Sequence, residues 1–263
     1  MFSRNINSEN KSFTLSITIS CKGKKNFRVW TEEVGKPNSK YSDRVVNVEE
    51  KRSIFISFPV SPKKIFIGIA NAEAPNDQDF EIQMIETPLR DYDIWIDDQT
   101  KEFLQLAISF SQQCGFQQAS DSGRLFTNPS GTFNIKFYNV IKDSQSGQIL
   151  NTPARIGHKT GIIEIAKVKY DLYTIPMRMM ILLHEYSHKY KNPKIGLKIS
   201  DEVGADINAL YIYLGMGFSK IDAICVYANV FLKAQTKSNI AMIRKIMNYI
   251  QRFENQDFAK RNN

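Results

Sequence analysis

The chain holds three histidines, and two of them, His184 and His188, stand four residues apart in LLHEYSHKY at 182–190. On a helix that spacing puts both imidazoles on one face, where they can share a metal ion. Glu185 follows the first histidine and falls on the cleft side, where a carboxylate can take a proton from water activated by the metal. A catalytic zinc takes three protein ligands, and DEVGAD at 201–206 offers Glu202 and Asp206, again four apart on one helix face. One carboxylate can complete the ligand set while the other accepts the free N–H of a ligand histidine and fixes its tautomer. Either could take either role. Residues 189–201 alone join the two motifs, so the link between their helices has to be tight.

The elements that must carry these residues are legible as patterns. Pro176 suits the first turn of a helix that runs through MRMMILLHEYSHKY and stops at Asn192-Pro193. Ser200 can cap the next helix, which runs to Gly215 and Gly217 and buries Val203, Ile207, Leu210 and Leu214 against the first. Upstream, Phe103, Leu104, Ala107, Ile108 and Phe110 mark a helical stripe within 97–116, and strand patterns occupy 131–141 and 161–168. Three further groups, His158, Tyr211 and Tyr213, are candidates for stabilising an oxyanion, although tyrosines at helical spacing commonly serve packing.

HEYSH followed by EVGAD resembles H-E-x-x-H … E-x-x-A-D, the pattern of the gluzincin group of zinc metallopeptidases. The resemblance covers roughly residues 155–215. It implies Zn²⁺ held by His184, His188 and Glu202, with Glu185 as general base and Asp206 supporting a ligand histidine. It also implies a zincin-like domain acting on a peptide or protein substrate, with GIIEI at 161–165 placed like the edge strand that pairs with extended substrate.

The first third reads differently. FTLSITIS at 13–20 alternates apolar and hydroxyl residues with the period of a half-buried strand, and NFRVW, DRVVNVE, RSIFISFPV, KKIFIGIA, FEIQMIE and YDIWID follow at short intervals. The fold class expected is α+β: an antiparallel β-sandwich or barrel-like domain over 1–98, then a mostly helical zincin-like domain over 99–263. The first domain has no histidine and no glycine-rich phosphate loop, so docking or assembly with a protein partner is its expected role.

Bulk properties exclude other classes. Hydrophobic residues at 42% and charged residues at 24% fit a folded globular chain rather than a disordered one. Cys21, Cys114 and Cys225 are too few and too scattered for a disulfide framework or a cysteine-based zinc site. The net charge of +8 comes from residues 100–263, but no lysine–arginine tract or aromatic–basic interleaving accompanies it, so nucleic acid is not an expected partner. No apolar run is long enough to span a bilayer, and MFSRNINSENKSF lacks the apolar core of a signal peptide; a cytoplasmic location is expected. The competing expectation is a structural or assembly protein carrying a metallopeptidase-like domain that need not be active. The Asn-, Lys- and Ile-rich composition suits an AT-rich genome such as that of a bacterial virus, whose particle could hold such a protein.

Overall fold

A computed structural model describes residues 1–90, 92, 94–193, 201–231 and 236–261. The chain divides into two compact units, Met1–Asp91 with Gly217–Ser219, and Tyr92–Met216 with Lys220–Asn263.

The N-terminal unit is one antiparallel sheet. Its strands are β1 (Phe2–Asn7), β2 (Phe13–Glu33), β3 (Lys40–Phe58), β4 (Lys64–Asn71) and β5 (Phe80–Pro88). β2 is the organiser: β3 flanks it almost throughout, β5 pairs with Phe13–Cys21, and β4 pairs with Phe27–Glu33. Phe13, Leu15, Ile17 and Ile19 are buried while the Ser and Thr between them are not, so the period-two pattern is realised as written. β2 changes neighbours at an irregularity between Ser20 and Lys24, where Gly23 adopts a positive φ of 70°. Glu50 on β3, opposite the same irregularity, takes a φ of 62°. The rings of Tyr41 and Phe58 lie 5.6 Å apart although they come from the two ends of β3. A straight strand of that length would hold them about 55 Å apart, so β3 bends back over the core. NFRVW, DRVVNVE and RSIFISFPV are thus parts of two long bent strands, where the sequence reading expects separate short ones.

The strand expected over YDIWID does not form: none of its described residues is in a strand, and Ile94 N–H donates to the Tyr92 carbonyl at 2.8 Å as in a tight turn. Ile94 packs directly over Gly215, which has no Cβ to obstruct it, and Asp97 caps the next helix by accepting the Thr100 N–H at 2.7 Å. That helix, α1 (Asp98–Gln113), turns its buried stripe of Phe103, Leu104, Ala107 and Phe110 inward. A four-stranded sheet follows, of β6 (Arg124–Thr127), β7 (Asn134–Tyr138), β8 (Ala154–Ile156) and β9 (Ile163–Ala166) in the order β6-β7-β9-β8. β7 and β9 are parallel, and β6 and β8 run antiparallel to their neighbours. GIIEI therefore forms an inner strand, and the edge beside the histidine helix belongs to β8. The reason is register: β9 pairs on both sides through Ile163–Ala166, whereas β8 pairs on one side only.

The rest is helical: α2 (Lys167–Tyr170), α3 (Ile175–Lys189), α4 (Asp201–Gly215), α5 (Lys220–Val226) and α6 (Lys237–Arg261), with a π-helical turn at Tyr227–Phe231. Ser200, the expected cap of α4, lies outside the described residues. α3 is buried on nearly every side from Ile175 to Ser187. Even Arg178 is fully buried, and its guanidinium donates to the carbonyls of Tyr170, Ser111 and Asp171 at 3.2–3.3 Å. No helix is long and apolar enough to cross a membrane among the described residues.

Candidate metal centre

α3 and α4 bring the two sequence motifs together. The rings of His184 and His188 lie 4.7 Å apart at 86°, with their Nε2 atoms 3.1 Å from each other. Two nitrogens bound to one tetrahedral zinc at about 2.0–2.1 Å would stand about 3.3 Å apart, so the pair already has the spacing of shared ligands. Glu202, in the first turn of α4, puts Oε2 3.8 Å from His184 Nε2 and 3.9 Å from His188 Nε2. Its side chain is 70% exposed, so a rotation that closes the remaining half-ångström meets no packing resistance. One ligand atom from each of the three lies within 4.8 Å of the others, and this group could hold a metal ion.

Asp206 meets the other side of the His184 ring. Its Oδ1 sits 2.9 Å from His184 Nδ1, on the ring nitrogen turned away from the shared space. Accepting the Nδ1 proton leaves Nε2 with a lone pair, which is the form a metal needs. Burial alone would lower the His184 pKa, but the Asp206 hydrogen bond and charge, helped by Glu185 and Glu202, raise it above its ordinary value. His188 moves the opposite way: burial and the neighbouring His184 hold it down, favouring the neutral ring. Its Nδ1 is buried and has no hydrogen-bond partner among the described residues. When the pair is metal-free, one proton between the two Nε2 atoms links the rings. A metal ion there needs both Nε2 lone pairs, so the His188 proton would have to shift to Nδ1.

Glu185 is buried, and burial raises its pKa, against the nearby His184, which lowers it. The main-chain N–H of Ile156 hydrogen-bonds the carboxylate and steadies its charged form. This contact directs Glu185 toward β8, the sheet edge, so the candidate base stands between the metal-binding group and the strand beside it.

Several positioning groups escaped sequence reasoning. Asn208, fully buried on α4, donates to Ser187 Oγ at 2.8 Å and to the Tyr190 carbonyl at 3.2 Å, and accepts the Asn192 N–H at 2.9 Å. These bonds lock the register of α3 against α4 and end α3 before Asn192-Pro193. Phe231, in the π-helical turn, stacks on the His184 ring at 4.2 Å, while Tyr227 donates to the Asp206 carbonyl at 3.2 Å. The period of a π-helical turn differs from the helical one, which hides these two aromatics from pattern reading. Of the three oxyanion candidates, Tyr211 is engaged elsewhere: its hydroxyl accepts the Trp95 N–H at 3.0 Å. Tyr213 is fully buried two turns along α4 from Asp206. His158 alone is near, its ring 6.2 Å from that of His188.

Compared with family models, curated proteins and solved structures, the chain finds no match.

Proposed function

We propose that this protein is a zinc-dependent hydrolase, and that its substrate is a peptide or protein. The observation that carries the reading is the convergence of two imidazole Nε2 atoms and an exposed carboxylate on one small space, with a buried carboxylate on the outer nitrogen of His184. Two nitrogens and one oxygen suit zinc, and a three-residue set leaves a position for water or substrate. A bound zinc would supply Lewis acidity and lower the pKa of water. His184, His188 and Glu202 hold the ion in this account, and Asp206 fixes the His184 tautomer. Glu185, whose pKa burial raises, receives the proton from water and passes it to the leaving amine. β8 ends the sheet beside Glu185, and an edge strand is where an extended chain can be added. In this reading the C-terminal unit is zincin-like, and the N-terminal sheet serves attachment to a protein partner.

The test is peptide hydrolysis by zinc-loaded protein and by its Glu185→Gln variant. The account expects one zinc per chain in both and turnover only in the first. Full turnover in the variant would remove Glu185 from the chemistry; failure to bind stoichiometric zinc would remove the site.

A further inference from the structure

All three histidines of the chain meet at one place. His184 and His188 form the candidate metal group, and His158 stands beside them on the turn between β8 and β9. Its ring meets that of His188 at 77°, edge to face. Unlike the other two it is exposed, and its ring nitrogens make no hydrogen bond among the described residues. Among the described residues, Asp206 takes the outer nitrogen of His184, Phe231 covers a face of its ring, and Glu202 stands on the α4 side.

The turn that carries His158 is built to hold a side chain at this spot. Gly157 N–H donates to the Ile162 carbonyl at 3.0 Å and Gly161 N–H to the Gly157 carbonyl at 2.6 Å. Gly161 has a φ of 71°, which glycine adopts without strain. Lys189 Nζ reaches the Lys159 carbonyl at 3.4 Å, tying the turn to the end of α3. His158 is also near enough to act electrostatically on both Glu185 and His188.

We propose that His158 is a ligand-contacting residue: its imidazole N–H donates a hydrogen bond to the oxygen of whatever carbonyl or carboxylate group occupies the free position of the metal centre. The proposal rests on the metal-centre reading above. It is distinct from metal ligation, because the ligand atoms of His184, His188 and Glu202 form the close group without it. The chain thus supplies two imidazoles to the metal and one to the ligand.

The experiment uses cobalt(II)-loaded full-length protein, whose visible spectrum reports ligand exchange, titrated with acetate as the probe. In His158→Ala, cobalt affinity stays at the wild-type value and acetate binds about 10- to 100-fold more weakly, the factor of one hydrogen bond to a charged oxygen. His158→Gln, which retains a donor, recovers most of that loss. Unchanged acetate affinity in His158→Ala overturns the proposal. So does a fall in cobalt affinity in that variant, which would make His158 a metal ligand. If wild-type protein takes up no cobalt, the metal-centre reading itself fails, and this proposal with it; cobalt uptake and acetate binding are read separately, so the two failures are distinguishable.

Discussion

The two units bury polar groups of different kinds. In the N-terminal sheet the buried polar side chains among the described residues are Ser8, Thr31, Ser39, Ser42, Ser61 and Asn71, all uncharged. In the C-terminal unit they include Arg178, His184, Glu185, Asp206 and Asp222. Burying an ionisable group costs several kcal/mol unless partners compensate it. Arg178 has its three carbonyls, and His184 and Asp206 have each other. Glu185 has one main-chain donor and a pKa raised by burial, and His188 has an orphaned Nδ1. Among the described residues, the buried charged or histidine side chains belong to the C-terminal unit, and three of them, Arg178, His184 and Glu185, lie on α3. Fold stability and site chemistry should therefore separate under mutation.

The largest expected effect is on turnover. Glu185→Gln should lower peptide hydrolysis by about 10²–10⁴-fold, the usual worth of a general base, with zinc content and melting temperature retained. A drop in melting temperature that accounts for the lost activity would collapse the distinction between site and scaffold. Next in size, Ile17→Ala in the sheet should cost about 2–5 kcal/mol on denaturant unfolding, since Ile17 is wholly inaccessible, while zinc affinity stays constant. Asn208→Ala should cost about 1–3 kcal/mol for the groups it leaves unpaired, and unlike Ile17→Ala it should also weaken zinc binding, because Asn208 sets the register of α3 on α4.

The smallest effects are on pH dependence, and they differ in sign. The raised His184 pKa gives metal-free protein a stability increment that is fully present below the unfolded value of about 6.5 and is lost as pH rises through the folded value. Zinc should reverse this trend, because it competes with the proton on the imidazoles and binds more tightly as pH rises. In the sheet, Arg28 grips Asp43 through two hydrogen bonds at 2.9 Å and, opposed by partial burial and helped by Lys40, holds its pKa at about 2. That pair's contribution is present above the unfolded aspartate value and disappears as pH falls toward 2; at this exposure it is worth under about 1 kcal/mol. Melting temperatures of wild type and Asp43→Asn across acid pH should converge. Persistent separation below pH 2 would show that the pair acts through something other than charge.

Legibility followed the range of the interactions. That His184 and His188 share one helix face, and Glu202 and Asp206 another, was readable because a helix places residues four apart on one face whatever its surroundings, and α3 and α4 are long enough for that rule to hold. The choice between Glu202 and Asp206 was not readable. It depends on which side of the His184 ring each carboxylate meets, and that is set by packing of α4 on α3. The alternating strand of 13–20 was visible, but its continuation through Gly23 into one long bent β2 was not, since a bend is a consequence of the core beneath it. YDIWID failed for a related reason: Ile94 packs on Gly215, a contact within its unit that no alternation pattern shows. β8, three residues long, is too short to carry any period, which is why the edge was assigned to its neighbour.

His184, His188 and Glu202 form one group that could hold a metal ion. A zinc titration of chelator-stripped protein, comparing wild type with His188→Ala at neutral pH, addresses it most directly. The account predicts one tight site per wild-type chain, accompanied by proton release, and loss of that site in the variant with the fold intact. Stoichiometric zinc binding that survives His188→Ala, or no binding by the wild-type chain, would contradict it.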